Sequence, residues 1–309
     1  MQCALNDPHR KATASDGSVD RALVGELAGT SAVNAMTVDV EDYFQVSAFE
    51  DVIPRADWER LPHRVERNTR AVLELFDDHR VSGTFFVLGW VAQRYPMLIR
   101  ELVSQGHELA SHGYEHVRVT EQSRAAFCQD IRRTKSLLED IGGVEVKGYR
   151  AASYSIGRSN LWALDELEAA GYRYSSSIYP IHHDLYGMPE APRFAFSYRE
   201  LLEVPISTVA VGERRFPCGG GGFFRLYPYA LSRWALNRVN AKEGRSCIFY
   251  FHPWEIDPQQ PRQQNIAFKT RFRHYLNLTR MESRLRRLLN DFAWDRMDRV
   301  FLPQSGLVS

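Results

Sequence analysis

Apolar positions along the chain fall into short runs that switch between two periods. Ala35-Met36-Thr37-Val38-Asp39-Val40 is a β-prone apolar run that ends in acids, and Val65, Val72, Leu73, Leu75 and Phe76 then mark one face of a helix. Gly83–Leu88 predicts a fully apolar strand, and Val91–Gln105 a helix with Gly106 as its C-cap. A short strand follows at His107–Ala110, then a helix over Glu121–Ile141 that stops at Gly142-Gly143. Strands are expected at Val144–Tyr149, Tyr172–Ser175, Glu203–Ser207 and Ser246–Phe251, with a helix over Asn160–Ala170 closed by Gly171. Such alternation implies βαβ units and a parallel sheet. About seven strands favour a barrel or distorted barrel, whose chemistry sits at the C-terminal strand ends.

Residues 1–33 show no sustained periodicity and predict a mostly disordered leader, with one short helix around Arg21–Leu27. The leader lacks the apolar core of a secretory signal. No later run approaches ~18 apolar residues, so no integral membrane segment is expected and a cytoplasmic location is. Thirty-nine basic against thirty-eight acidic residues leave a net charge of +1. That balance gives no global field for nucleic acid or acidic membranes. The Arg284, Arg286 and Arg287 stretch reads as a solvated helix face. The four cysteines contain no C-x-x-C pair, hence no zinc-finger spacing and no dense disulfide framework.

Four apolar strands end in residues capable of chemistry. The first ends in Asp39, Glu41 and Asp42; His112 and His116 follow the strand at His107–Ala110; Arg150 and His252 close two others. Parallel neighbours would bring all four endings to one mouth. His112 and His116, four apart on a helical turn, could both reach one ion at about 2.0–2.1 Å. A carboxylate from the acidic run would complete a divalent site with an open position, and zinc suits that set best. Strand alternation puts Asp39 and Glu41 on one face, so one could bind metal while the other takes a proton from water. Glu41 is favoured over Asp42 as the ligand. Arg150 could hold a catalytic carboxylate ionised, and His252 could protonate a leaving amine. Gly219–Gly222 is no phosphate cradle and opens no clear helix; it suggests a close-approach loop at the mouth. Ser153, Tyr154, Phe223, Phe224, Arg225 and Trp254 are candidate substrate contacts, with a backbone N–H near Ser153 or Tyr154 for the oxyanion. No G-x-S-x-G elbow is present.

In this order the motifs resemble the polysaccharide deacetylases, carbohydrate esterase family four. The resemblance covers residues 35–256, from Thr-Val-Asp39-Val-Glu41-Asp42 through Ser-His112-Gly-Tyr-Glu-His116 and Tyr-Arg150-Ala-Ala-Ser-Tyr to Phe-His252-Pro-Trp. Gly-Gly-Gly-Phe-Phe-Arg and His-Pro-Trp-Glu-Ile-Asp-Pro further resemble a bacterial subgroup linked to exopolysaccharide assembly and exosortase-type loci. The resemblance implies an α/β fold, a distorted (β/α)7 barrel, over 34–255, with 256–309 as a C-terminal extension packed on it. It implies one divalent metal, held by His112, His116 and Glu41 or Asp42. Asp39 becomes the general base, His252 the general acid and Arg150 the orienter of the base. The implied activity is hydrolysis of N-acetyl groups on a polysaccharide or oligosaccharide, in contact with exopolysaccharide assembly machinery. A metal amidohydrolase acting on a small amide and a catalytically silent sugar-binding homologue are the alternatives. This chain departs from the family pattern in three places: Val40 between the acids, Ala152 where Pro is expected, and Ser175 where Asp is common.

Overall fold

The first strand of the computed structural model, Asn34–Val40, is buried along its whole length. A parallel strand covered on both faces has no polar side to present, which is why this run is almost continuously apolar. The structure describes residues 33–183 and 186–303; the expected leader, its helix at Arg21–Leu27 and the end of the extension at 304–309 lie outside them. Among the described residues the strands are β1 (Asn34–Val40), β2 (Thr84–Val87), β3 (Glu108–Ser111), β4 (Gly148–Tyr149), β5 (Tyr174–Ser175), β6 (Phe196–Tyr198), β7 (Leu201–Glu203), β8 (Thr208–Val211), β9 (Arg214–Pro217), β10 (Ile248–Phe251) and β11 (Trp294–Asp295). The main sheet runs β10-β1-β2-β3-β4-β5-β7-β6, with β11 also on β1. Every pairing in it is parallel except β6 against β7.

The strand path stays open, but its two ends are drawn together. Val204 and Ile206 donate backbone bonds to Ser175 and Ile178, the Ser207 hydroxyl accepts from the Ile248 N–H, and Gly219 accepts from the Tyr250 N–H. The result is an α/β fold with a curled sheet. Gly220, at φ 117°, bridges to Tyr250 so closely that a Cβ would stand 2.0 Å from the Tyr250 carbonyl oxygen. The glycine run is thus a close-approach segment, but what it approaches is β10. Contrary to expectation it opens a short helix, Gly221–Leu226.

Side-chain alternation divides the core. Met36, Val38 and Val40 face the helices, whereas Ala35 joins Phe86, Ala110, Tyr174 and Ile248 inside the curl. Met297, from the helix Met297–Phe301, closes the N-terminal end of that interior. Three expectations change. The helix placed at Val91–Gln105 is two, Gly89–Arg94 and Pro96–Ser104, because Pro96 starts a new helix and Tyr95 leaves helical conformation (ψ 55°). The strand expected at Val144–Tyr149 shrinks to two residues, with Val144 exposed. The β8–β9 hairpin was not anticipated; it is a two-stranded sheet of its own, and β9, Arg-Arg-Phe-Pro, carries no apolar run.

Candidate active site

Asp39 continues the inward face of β1 from Ala35 and Thr37. Its Oδ1 accepts from Arg150 Nη1 at 2.6 Å, and both side chains are buried. Arg150 is further fixed by Thr37 Oγ1 at 2.8 Å and by the Ser176 hydroxyl at 3.1 Å. Burial pushes the Asp39 carboxyl up, but Arg150, with His112 and His252, outweighs it and holds the group below its ordinary value. The second oxygen, Oδ2, lies 3.5 Å from the Tyr154 hydroxyl and 3.9 Å from His252 Nε2.

The chain turns immediately after β1, with the Glu41 N–H donating to the Asp39 carbonyl. That turn brings Glu41 to the same mouth. Glu41, His112 and His116 are all buried, and one potential ligand atom from each lies within 4.8 Å of the others. The two histidines do not ride on a helical turn, as their spacing suggested. Gly113 (φ 74°) and His116 (φ 54°) take left-handed backbone conformations, and Asp130 accepts the Tyr114 N–H at 3.1 Å, so the segment is an irregular loop. The rings still meet, with centroids 5.1 Å apart.

The donor set fits a divalent ion. His112 Nδ1 is 2.8 Å from the Arg150 carbonyl oxygen, which fixes the proton there and leaves Nε2 as the ligand atom. Glu41 Oε2 lies 3.1 Å from His116 Nε2 yet takes part in no hydrogen bond, and neither does buried His116 Nδ1. Burial is the main cause that raises Glu41 to about 7 and drops His116 well below its usual range. A nearby cation would reverse the first shift, since it stabilises the carboxylate. Asp42, the other candidate ligand, is directed elsewhere. Its Oδ2 accepts from the Arg64 and Val65 N–H groups at 2.6 and 2.9 Å, at the start of the helix Val65–His79.

His252 stands at the C-terminal end of β10. Its Nε2 is 3.5 Å from Glu41 Oε1, and its Nδ1 is 2.7 Å from Glu255 Oε1. Burial works against the charged imidazole, but Glu41, Glu255 and Asp39 outweigh it and push it up to about 9. Trp254 donates to Glu41 Oε1 at 3.2 Å and stacks on His252, so it supports the cluster from within.

The other candidate contacts separate. Tyr154 and Ser153 both adopt φ 51°, a strained conformation, and the Tyr154 hydroxyl lies near Asp39. The Tyr154 N–H donates to the Ala151 carbonyl, which removes it as an oxyanion donor. Ser153 Oγ bonds Ser47 at 2.8 Å. Phe224 is core, packed edge-on against Phe249, and Phe223 is half-buried beside Tyr227. Arg225 is buried against Glu255 and meets no open surface. Ser175 donates to Ser177, whose hydroxyl accepts the Ala151 N–H. Sequence reasoning missed Glu255, although it stands three residues after His252, a spacing at which a side chain can reach back to the earlier residue.

Comparison with known proteins adds to this geometry. Residues 49–175 match the family described as polysaccharide deacetylase. That stretch of the chain is similar to that family. Residues 176–302 match a domain of unknown function, DUF3473. A peptidoglycan-N-acetylglucosamine deacetylase of Bacillus cereus is 26% identical over 99 residues, 32% of this chain and 36% of the relative. A chitooligosaccharide deacetylase of Sinorhizobium fredii is 50% identical over 48 residues, 16% of this chain and 22% of the relative. The chain thus spans about a third or less of these two relatives. Two solved structures share the fold. One, assigned as a polysaccharide deacetylase from Mycobacterium smegmatis, has a TM-score of 0.58 at 19% identity, over 90% of this chain and 91% of that one. Puue allantoinase has a TM-score of 0.57 at 16% identity, over 87% and 88%. No described helix is long and apolar enough to cross a membrane.

Proposed function

We propose that this chain is a metal-dependent deacetylase that removes N-acetyl groups from a bacterial exopolysaccharide or its oligosaccharide precursors. The observation that carries this reading is the juxtaposition of three kinds of group at one mouth. Glu41, His112 and His116 form a buried donor cluster, Asp39 is held by Arg150, and His252 faces both.

Glu41, His112 and His116 would hold the ion, with zinc the best match to two imidazoles and a carboxylate. When bound, a divalent ion there supplies Lewis acidity, which acidifies water and polarises an acetyl carbonyl. Asp39 takes the proton of the attacking water on Oδ2, because Oδ1 is committed to Arg150. Arg150 keeps that carboxylate charged and fixes its plane. His252 gives the Nε2 proton to the departing nitrogen, since an amine leaves poorly until it is protonated. Acetate and a free amino sugar result.

The test is metal analysis of the purified protein, followed by acetate release from a panel of N-acetylated glycans and small amides. About one divalent ion per chain and acetate from the glycans are expected. Metal-loaded protein that releases acetate from no glycan would overturn the proposal, and release from small amides alone would reassign the substrate.

A further inference from the structure

We infer that the segment 176–302 builds the proton-donating half of the site, with Glu255 positioning His252 and Arg225 positioning Glu255. This rests on the deacetylase reading above. His112, His116 and Arg150 come from residues 49–175, whereas every group behind His252 comes from the second segment.

Glu255 is fully buried and uses both oxygens. Oε1 lies 2.7 Å from His252 Nδ1 and also accepts the His252 backbone N–H at 3.0 Å. Oε2 accepts from Arg225 Nε at 2.6 Å. An imidazole gripped at Nδ1 by a carboxylate keeps one ring orientation, with Nε2 aimed into the site. Arg225 is itself immobilised. Its Nη1 donates to the carbonyls of His274 and Leu276 at 2.7 and 2.9 Å, and its Nη2 to that of Arg273 at 3.1 Å. These are carbonyls at the end of the helix Phe268–Tyr275, where intrahelical donors run out and a cation is favoured. The same region supplies a ring stack: Trp254 lies on His252 at 18° and on His274 at 14°.

Stability alone does not account for this arrangement. Arg225 and Glu255 side chains are 3% and 0% exposed. Apolar residues of similar volume in place of such a pair are often neutral or stabilising. The Glu255 carboxylate also joins Arg225 to the imidazole of His252. Lysine could not replace Arg225, because it lacks the planar fork that reaches carboxylate and carbonyls together.

Full-length Glu255→Gln, Arg225→Lys and Arg225→Met test the inference. Each is assayed on an N-acetylglucosamine oligomer and on 4-nitrophenyl acetate, whose leaving group needs no proton. On the amide, kcat should fall about 10²-fold or more for Glu255→Gln and Arg225→Met, the usual range for lost acid–base catalysis. KM and metal content should stay near wild type, loss on the ester should be much smaller, and Arg225→Lys should recover little. In ¹H–¹⁵N spectra the low-field Nδ1–H of His252, assigned by its absence in His252→Asn, should move upfield in Glu255→Gln. Equal losses on amide and ester, or an unmoved resonance, would overturn the inference. A wild-type protein that releases no acetate while the resonance still responds would instead overturn the deacetylase reading and leave the tether standing.

Discussion

Arg150→Met would remove the guanidinium that Asp39 depends on and leave a stem of similar shape. Arg150 is fully buried and Asp39 is 2% exposed, so no water replaces the lost partner. The hydrogen bonds to Asp39, Thr37 and Ser176 go, as does the cation stacked 4.0 Å over Phe86. Removing one member of a buried ion pair costs roughly 3–5 kcal/mol. The cost should depend on pH, and its sign follows from Asp39. In the wild type the carboxyl is held below its ordinary value, so its contribution is present above the unfolded pKa and lost as pH falls. In the variant, burial raises the carboxyl with Arg150 no longer opposing it. Asp39 then favours folding only below its unfolded pKa, and that contribution is lost as pH rises through the folded one. The stability gap between the two proteins should widen from pH 5 to pH 8. Urea unfolding at both pH values measures it, and at pH 8 the melting temperature should drop on the order of 10 °C. The double variant Asp39→Asn/Arg150→Met should recover part of the loss, since a neutral amide needs no counterion. An equal gap at both pH values, or strictly additive losses in the double variant, would refute the reasoning.

Three further outcomes are expected. His112→Ala should lose stoichiometric metal by mass spectrometry, whereas Asp39→Asn should keep it and lose about 10²–10⁴ in kcat; an emptied site in Asp39→Asn would make Asp39 a ligand. Asp42→Ala should keep the metal but destabilise by about 1–2 kcal/mol in chemical unfolding, because it strips acceptors from the Arg64 and Val65 N–H groups at a helix start. The alkaline limb of kcat/KM should belong to His252, the group at about 9, because the acid works only while protonated. A cation on Glu41 would offset the first of the carboxylates that raise it, so the limb should fall below 9 in the loaded enzyme; a limb unchanged in His252→Ala would assign it elsewhere.

The parts of this molecule legible in the sequence are those whose cause is local. β1, β2 and β10 are buried on both faces, and each stands out as a largely apolar run. Asp39, Glu41, His112, Arg150 and His252 were found because each follows such a run, and a parallel sheet brings strand ends together. The parts that stayed hidden have causes far away in the chain. β4 and β5 were expected as longer strands, at Val144–Tyr149 and Tyr172–Ser175, but only Gly148–Tyr149 and Tyr174–Ser175 pair, an extent set by their neighbours in the sheet. Arg225 followed the glycine run and suggested a substrate contact, but its partners lie 30 to 51 positions downstream. The fate of the Tyr154 N–H was equally invisible, since it depends on a left-handed turn at two ordinary residues.

The two ends of the curled interior differ in a way that bears on where a ligand belongs. At the N-terminal end Glu108 is as buried as the residues of the mouth, yet both its oxygens are satisfied. Thr84 Oγ1 and the Asp298 N–H donate to Oε2, and the Tyr174 hydroxyl donates to Oε1. This end is finished by folding itself, as the stability face of a barrel should be. At the C-terminal end Glu41 Oε2 and His116 Nδ1 are equally shielded from water and take no hydrogen bond. Leaving such groups unpaired costs about 1–3 kcal/mol each, more for a charge. A fold that completes every bond around one interior carboxylate and leaves another open beside two imidazoles has placed the cost where a bound ion can offset it. The surroundings of His252 follow the same logic. Glu255 and Arg225 are satisfied to the last oxygen and most donors, and only His252 Nε2 faces the opening, within 3.5 Å of Glu41 and 3.9 Å of Asp39.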